Sequence, residues 1–189
     1  VNVVGIIAAA ENMISGEAYR PGDVITSMAG KTIEVINTDA EGRLTLIDAI
    51  HYALEKEKAD RVLDIATLTG AAVAALGHDF SAVLSNNSTW LHQLKEASDF
   101  SGEMIWEMPL HEPYKELLKS EVADLKNIGG PLAGCITAAL FIGEFVQDKP
   151  WIHIDIAGQA TKDKINGIYS YGATGVGVRL LTSLLRSME

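Results

Sequence analysis

The chain has 189 residues, 48% apolar and 21% charged, enough for a full hydrophobic core and with no compositional sign of disorder. Its formal net charge of −10 argues against a phosphate-backbone partner, because nucleic-acid binding needs clustered Lys and Arg, and here Lys56 and Lys58 alternate with Glu55 and Glu57. The single cysteine, Cys135, rules out an internal disulfide and fits a reducing compartment; its neighbours Ala133, Ile136 and Ala138 make it a core residue rather than a nucleophile.

The first element is the continuous apolar run Val3 to Ala10, the pattern of a strand buried on both faces, and it ends on the polar pair Glu11-Asn12. At eight residues it falls far short of the roughly 20 that a membrane-spanning helix needs, and no targeting segment is visible. The chain opens directly on this run without a methionine, which suggests a missing upstream portion. Ile14 to Gly22 reads as a loop, and Val24 to Thr26 with Thr32 to Ile36 as a hairpin or pair of short strands around Ala29-Gly30.

The octet Asn37-Thr38-Asp39-Ala40-Glu41-Gly42-Arg43-Leu44 follows, and then Leu44, Ile47, Ile50 and Leu54 recur at helical spacing to about Lys56. It is therefore a strand-to-helix loop, the usual place for ligands in an α/β protein. Two carboxylates and a guanidinium lie within five residues. By residue type alone two readings stay open. Asp39 and Glu41 pair as oxygen ligands for a divalent cation, or Asp39 caps the helix, Glu41 favours its first turn and Arg43 pairs with one of them.

Further along, Arg61 to Ala66 is a strand running into Thr67-Leu68-Thr69-Gly70 and the helix Ala71 to Leu76. Phe80 to Leu84 is a strand, Trp90 to Ala97 a helix, Tyr114 to Lys119 a short helix entered at Pro113, and Leu132 to Val146 a helix opened by Gly129-Gly130. Trp151 to Ile156 is the last strand, and Gly172 to Gly177 leads into a C-terminal helix through Val178, Leu181, Leu184 and Leu185. Strands and helices alternate, so the expected fold is α/β, a three-layer α/β/α arrangement with a mixed, mainly parallel sheet in one domain.

The octet resembles the signature of the leucyl (cytosol) aminopeptidase family, two-metal exopeptidases. Glu11-Asn12-Met13, Tyr19-Arg20-Pro21-Gly22-Asp23, Ala66-Thr67-Leu68-Thr69-Gly70, Asn127-Ile128-Gly129-Gly130, His153-Ile154-Asp155-Ile156-Ala157-Gly158 and Gly172-Ala173-Thr174-Gly175 resemble the same family's C-terminal catalytic domain, in the same order. The resemblance covers essentially residues 1–189. It implies a cytoplasmic homohexamer that removes leucine-like N-terminal residues from peptides, with two zinc or manganese ions. It also implies Asp39 and Glu41 as metal ligands, Arg43 as the catalytic holder of a bicarbonate, and Asn37, Ala40, Thr67, Leu68, Thr69 and Gly70 along the substrate pocket.

Two departures accompany it. The family's upstream lysines and further aspartate ligands have no counterpart in this sequence, so the expected site is partial. The rival expectation is accordingly a domain that folds or associates without turnover. Pro131 stands where the family usually shows an arginine.

The remaining candidates read as structural. His153 alternates with apolar neighbours, as a hydrogen-bonded core histidine would, and Asp64 and Asp155 inside apolar strands read as buried, bonded carboxylates. The glycines of Gly172 to Gly177 have neither Rossmann nor P-loop spacing; an anion cradle or close helix packing are the two readings. No Gly-x-Ser-x-Gly elbow is present.

Overall fold

The computed structural model describes residues 1–165 and 167–188. In chain order the elements are β1 (Val24–Thr26), β2 (Thr32–Glu34), α1 (Gly42–Glu55), β3 (Val62–Ala66), α2 (Gly70–Leu76), β4 (Ser81–Ser85), α3 (Ser88–Ser101) and β5 (Ile105–Glu107). A 3-10 turn (Glu112–Leu118) follows, then β6 (Leu125–Lys126), α4 (Gly134–Gly143), β7 (Trp151–Asp155), β8 (Thr161–Lys162), β9 (Gly172–Ala173) and α5 (Val178–Arg186). The fold is α/β with parallel and antiparallel strand pairs. It gathers into two compact units interleaved in sequence: one of Val1–Val3, Leu63–Pro109 and Pro150–Glu189, the other of Val4–Val62 and Leu110–Lys149.

In the first unit the strand order is β3-β7-β4-β5, with β4 antiparallel to β7 and parallel to β5. Successive side chains of a strand point to opposite faces. Ile152 and Ile154 of β7, with Val83 of β4, therefore share a core with Trp90, Leu91 and Leu94 of α3 and Leu180 and Leu184 of α5. Trp151, His153 and Asp155 take the other face, fully buried, and there Asp64 of β3 accepts from Trp151 Nε1 at 2.7 Å and pairs with His153 Nδ1 at 2.6 Å. The structural reading of Asp64 and His153 holds.

Glycine does specific work at one end of this unit. Gly177 has φ +95°, and a Cβ there would sit 2.5 Å from Ile65 Cδ1, so only glycine lets α5 start against β3. The N–H of Gly177 and that of Leu180 both donate to Glu103, at 3.0 and 2.8 Å, and Arg179 Nε reaches its other oxygen at 3.3 Å. An anion is thus bound at this helix start, but it is the chain's own carboxylate.

In the second unit β1 and β2 form the expected hairpin, with Ile25 opposite Ile33, and β6 adds parallel to β2. Ile33 and Val35 are buried, as are Leu44, Ile47, Ile50 and Leu54 of α1 at the spacing the sequence predicts. Helix α4 packs on α1 and on the 3-10 turn. It begins two residues later than expected because Ala133 is left-handed (φ 53°), which leaves Leu132 outside the helix and exposed. Glu144, just past α4, accepts from Lys31 at 3.2 Å and Lys115 at 3.0 Å, tying the hairpin turn and the 3-10 turn to the helix end.

The expectation that Val3 to Ala10 forms a buried strand is not met. The run is assigned no strand and is exposed throughout, with Ile7 at 90%. A strand pattern needs a neighbouring edge to supply its backbone partners, and this segment has none among the described residues.

Candidate functional site

The octet lies wholly in the second unit, between the end of the β2 segment and α1. Its backbone is drawn into a turn by Asn37: the side-chain Oδ1 accepts from the Asp39 N–H at 3.0 Å, and its carbonyl accepts from the Ala40 N–H at 3.2 Å. Such Asx turns fix the next residues without regular structure. Asp39 does not cap the helix. The residue at the N-cap is Glu41, in helical conformation and with no side-chain cap bond. The reading of Asp39 as the helix cap is therefore not met, and Glu41 stands at the helix start with its carboxylate making no cap bond. Asp39 is exposed and Glu41 half-buried.

Arg43 is buried at 6% exposure on the first turn of α1, and its Nη1 donates to the carbonyl of Asn127 at 2.8 Å. Asn127 itself is fully buried. Its Oδ1 accepts from the N–H groups of Ile36 and Asn37 at 2.8 and 3.3 Å, and its Nδ2 donates to the Asn37 carbonyl at 2.7 Å. Tyr19 touches the same loop, its hydroxyl 3.3 Å from the Thr38 carbonyl. Partial burial, and secondarily the Glu41 carboxylate, push its phenol above the ordinary value, which puts Glu41 within electrostatic reach of the ring hydroxyl.

The second candidate loop, Thr67 to Gly70, belongs to the first unit. Thr69 caps α2 by accepting from the Ala72 N–H at 3.1 Å, and it donates to Asp155 Oδ2 at 2.7 Å. Asp155 Oδ1 also takes the N–H of Leu68 at 3.0 Å and of Ala157 at 3.2 Å. Asp155 is therefore the residue that shapes this loop, and the buried, bonded role read for it holds. Thr67 and Gly70 are exposed, Leu68 half-buried and Thr69 buried.

In donor chemistry, Asp39 and Glu41 fit a hard or borderline divalent cation. They are a partial set: among the described residues no group of three or more His, Cys, Asp or Glu side chains gathers where it could hold a metal. Asn127 and Tyr19 enter the sequence reading only as parts of resembling stretches, with no role attached. Asn127 stands some 90 residues from the octet it grips, a distance at which no local pattern signals a contact.

The profile of the cytosol aminopeptidase family, catalytic domain, matches residues 1–182. A probable cytosol aminopeptidase of Clostridium perfringens (strain 13 / Type A) is 59% identical over 184 residues, covering 97% of this chain and 37% of that protein. Among solved structures, a mutant tomato leucine aminopeptidase superposes with a TM-score of 0.88 at 46% identity, over 93% of this chain and 34% of that one. The bottromycin maturation enzyme BotP, in complex with Mn, gives 0.91 at 39% identity over 95% and 40%. The chain belongs to the cytosol aminopeptidase family and carries its catalytic-domain sequence. It spans a little over a third of the length of the curated relative it matches. No helix among the described residues is long and apolar enough to cross a membrane.

Proposed function

We propose that the chain is catalytic-domain sequence of a metal-dependent aminopeptidase, in which Asp39 and Glu41 ligate divalent zinc or manganese and the substrate is a peptide with a leucine-like N-terminal residue. The observation that carries the reading is the octet itself, with two carboxylates that make no cap bond on a loop gripped at both ends. Family membership and a relative solved with Mn support it. When bound, two such ions polarise the scissile carbonyl and activate water.

The chain's own residues then have these roles. Asp39 and Glu41 hold the cation. Arg43 keeps a fixed positive charge beside them, suited to an anion such as bicarbonate. Asn37 and Ala40, and separately the backbone of Thr67 to Gly70, line the path of the peptide. The homohexameric assembly and cytoplasmic setting that the resemblance implies belong to the same proposal.

A second reading is favoured by the partial donor set: a domain that folds, and attracts a cation, without turnover on its own. Two carboxylates cannot hold two ions and the reacting atoms in fixed geometry, and positioning is worth on the order of 7–11 kcal/mol of a barrier. Metal titration and leucine-amide turnover by this chain separate the two, with Glu41→Ala as the blank and a full-length relative assayed alongside. Cation binding that needs Asp39 and Glu41, with turnover far below the relative's, is the expected result. Binding indifferent to Glu41→Ala defeats the metal reading; Glu41-dependent turnover near the relative's defeats the second.

A further inference from the structure

Asn127 satisfies an unusual number of partners for one residue. Its side chain holds three backbone groups at Ile36 and Asn37, its own N–H donates to the Glu34 carbonyl at 3.0 Å, and its own carbonyl receives Arg43 at 2.8 Å. The segment from Ile36 to Arg43 is therefore an arch with both feet on one residue, and Asp39 and Glu41 lie on its span. The internal turn of the arch depends on the same anchor, because the Asn37 carbonyl that receives Asn127 Nδ2 also receives the Ala40 N–H.

Only a carboxamide can meet this demand, since it presents an acceptor and a donor side by side; a carboxylate lacks the donor and an aliphatic group lacks both. The position of Asn127 is itself constrained. Two residues on, a Cβ at Gly129 would stand 2.8 Å from Thr137 Cγ2, so the backbone there is pressed against α4.

We infer that Asn127 is a positioning residue for the cation site, one that sets the spacing of the Asp39 and Glu41 carboxylates by fixing both ends of the loop that carries them. The inference rests on the proposed metal reading. It assigns Asn127 no contact with cation or substrate: it acts through Asn37 and Arg43.

The test measures Mn²⁺ binding to the metal-free chain by electron paramagnetic resonance, with amide hydrogen exchange on the same samples. Asn127→Ala is expected to bind Mn²⁺ about ten- to a hundredfold more weakly, the usual effect of removing a group that orients ligands. It should also lose protection at Ile36 and Asn37 while α4 and the β7 strand keep theirs. Asn127→Asp, which keeps the acceptor but not the donor, serves if the alanine variant does not fold. It should retain protection at Ile36 and still bind more weakly despite its added charge. Folded variants that bind Mn²⁺ as tightly as the parent overturn the inference and leave the metal reading intact. A parent chain that shows no Mn²⁺ binding dependent on Glu41 overturns both.

Discussion

Glu103 holds the start of the C-terminal helix by accepting the N–H of Gly177 at 3.0 Å, across a sequence separation of 74 residues. The carboxylate is 2% exposed, and it also accepts from Leu180 N and from Arg179 Nε. Removing it leaves two buried amide donors at a helix N-terminus, where a negative charge is favoured. Glu103→Ala should cost about 2–4 kcal/mol and Glu103→Gln less, because one acceptor oxygen survives. Gly177→Ala adds a left-handed backbone penalty to a clash with Ile65 and should cost about 2–4 kcal/mol. Urea unfolding checks all three; a Glu103→Ala variant as stable as the parent contradicts the capping role.

Asp155 accepts from Leu68, Thr69 and Ala157 on one buried carboxylate. Asp155→Ala should cost about 2–4 kcal/mol by orphaning these donors. Its local signature is specific: amide exchange should accelerate at Leu68 and Ala157, whereas Ile36 and Asn37 should keep their parent rates. Uniform acceleration across the chain would mean that the carboxylate supports the fold at large rather than this loop.

Acid should find Glu144. Burial pushes its carboxyl upward, but hydrogen bonds from Lys115 and Lys31 outweigh burial and hold it below the ordinary 4.5. A depressed carboxyl contributes stability that is fully present above its unfolded value and lost as pH falls through its folded value. Asp124, held down by the N–H and hydroxyl of Thr32, acts in the same direction. The difference between parent and Glu144→Gln isolates one group: the urea midpoints should separate above the ordinary carboxylate range and converge as pH falls through the depressed folded value. A gap that stays constant with pH refutes the linkage.

Tyr19 reports on Glu41. Its phenol is raised above 10.0, chiefly by burial and then by the nearby carboxylate. In the metal-free chain, Glu41→Gln should lower the value while leaving it above that of a free phenol, since the burial contribution remains. Ultraviolet difference titration, with Tyr19→Phe to identify the transition, reads this directly. No movement on Glu41→Gln places the carboxylate out of reach of the ring.

Much of the architecture was legible because it is periodic. Alternation in Trp151 to Asp155 separates a core face from a polar face, and spacing along α1 picks out Leu44, Ile47, Ile50 and Leu54. The octet was legible because its charged residues are adjacent in sequence. The grip on it was not: Asn127 acts on Ile36 and Asn37, 91 and 90 residues away, and an isolated polar residue carries no signal of what it will meet. Glu103 was hidden in the same way, 74 residues from the Gly177 amide it receives at the start of α5. The strands Ile105–Glu107 and Leu125–Lys126 escaped for a related reason, being too short to show a period and defined by their neighbours. The division into two units escaped as well. The chain passes between them at Val62 and Leu63, inside one strand, without a change in composition.

The placing of β7 between β3 and β4 has a consequence for biosynthesis. Both flanking strands are translated by residue 85, yet the strand that joins them begins at Trp151. For that interval β3 and β4 have their inner hydrogen-bonding edges unfilled, with Val83 and Ile65 denied the core they later share. Nascent chains stalled before residue 151 should therefore be the species that chaperones and aggregation capture, and release should follow completion of Trp151–Asp155.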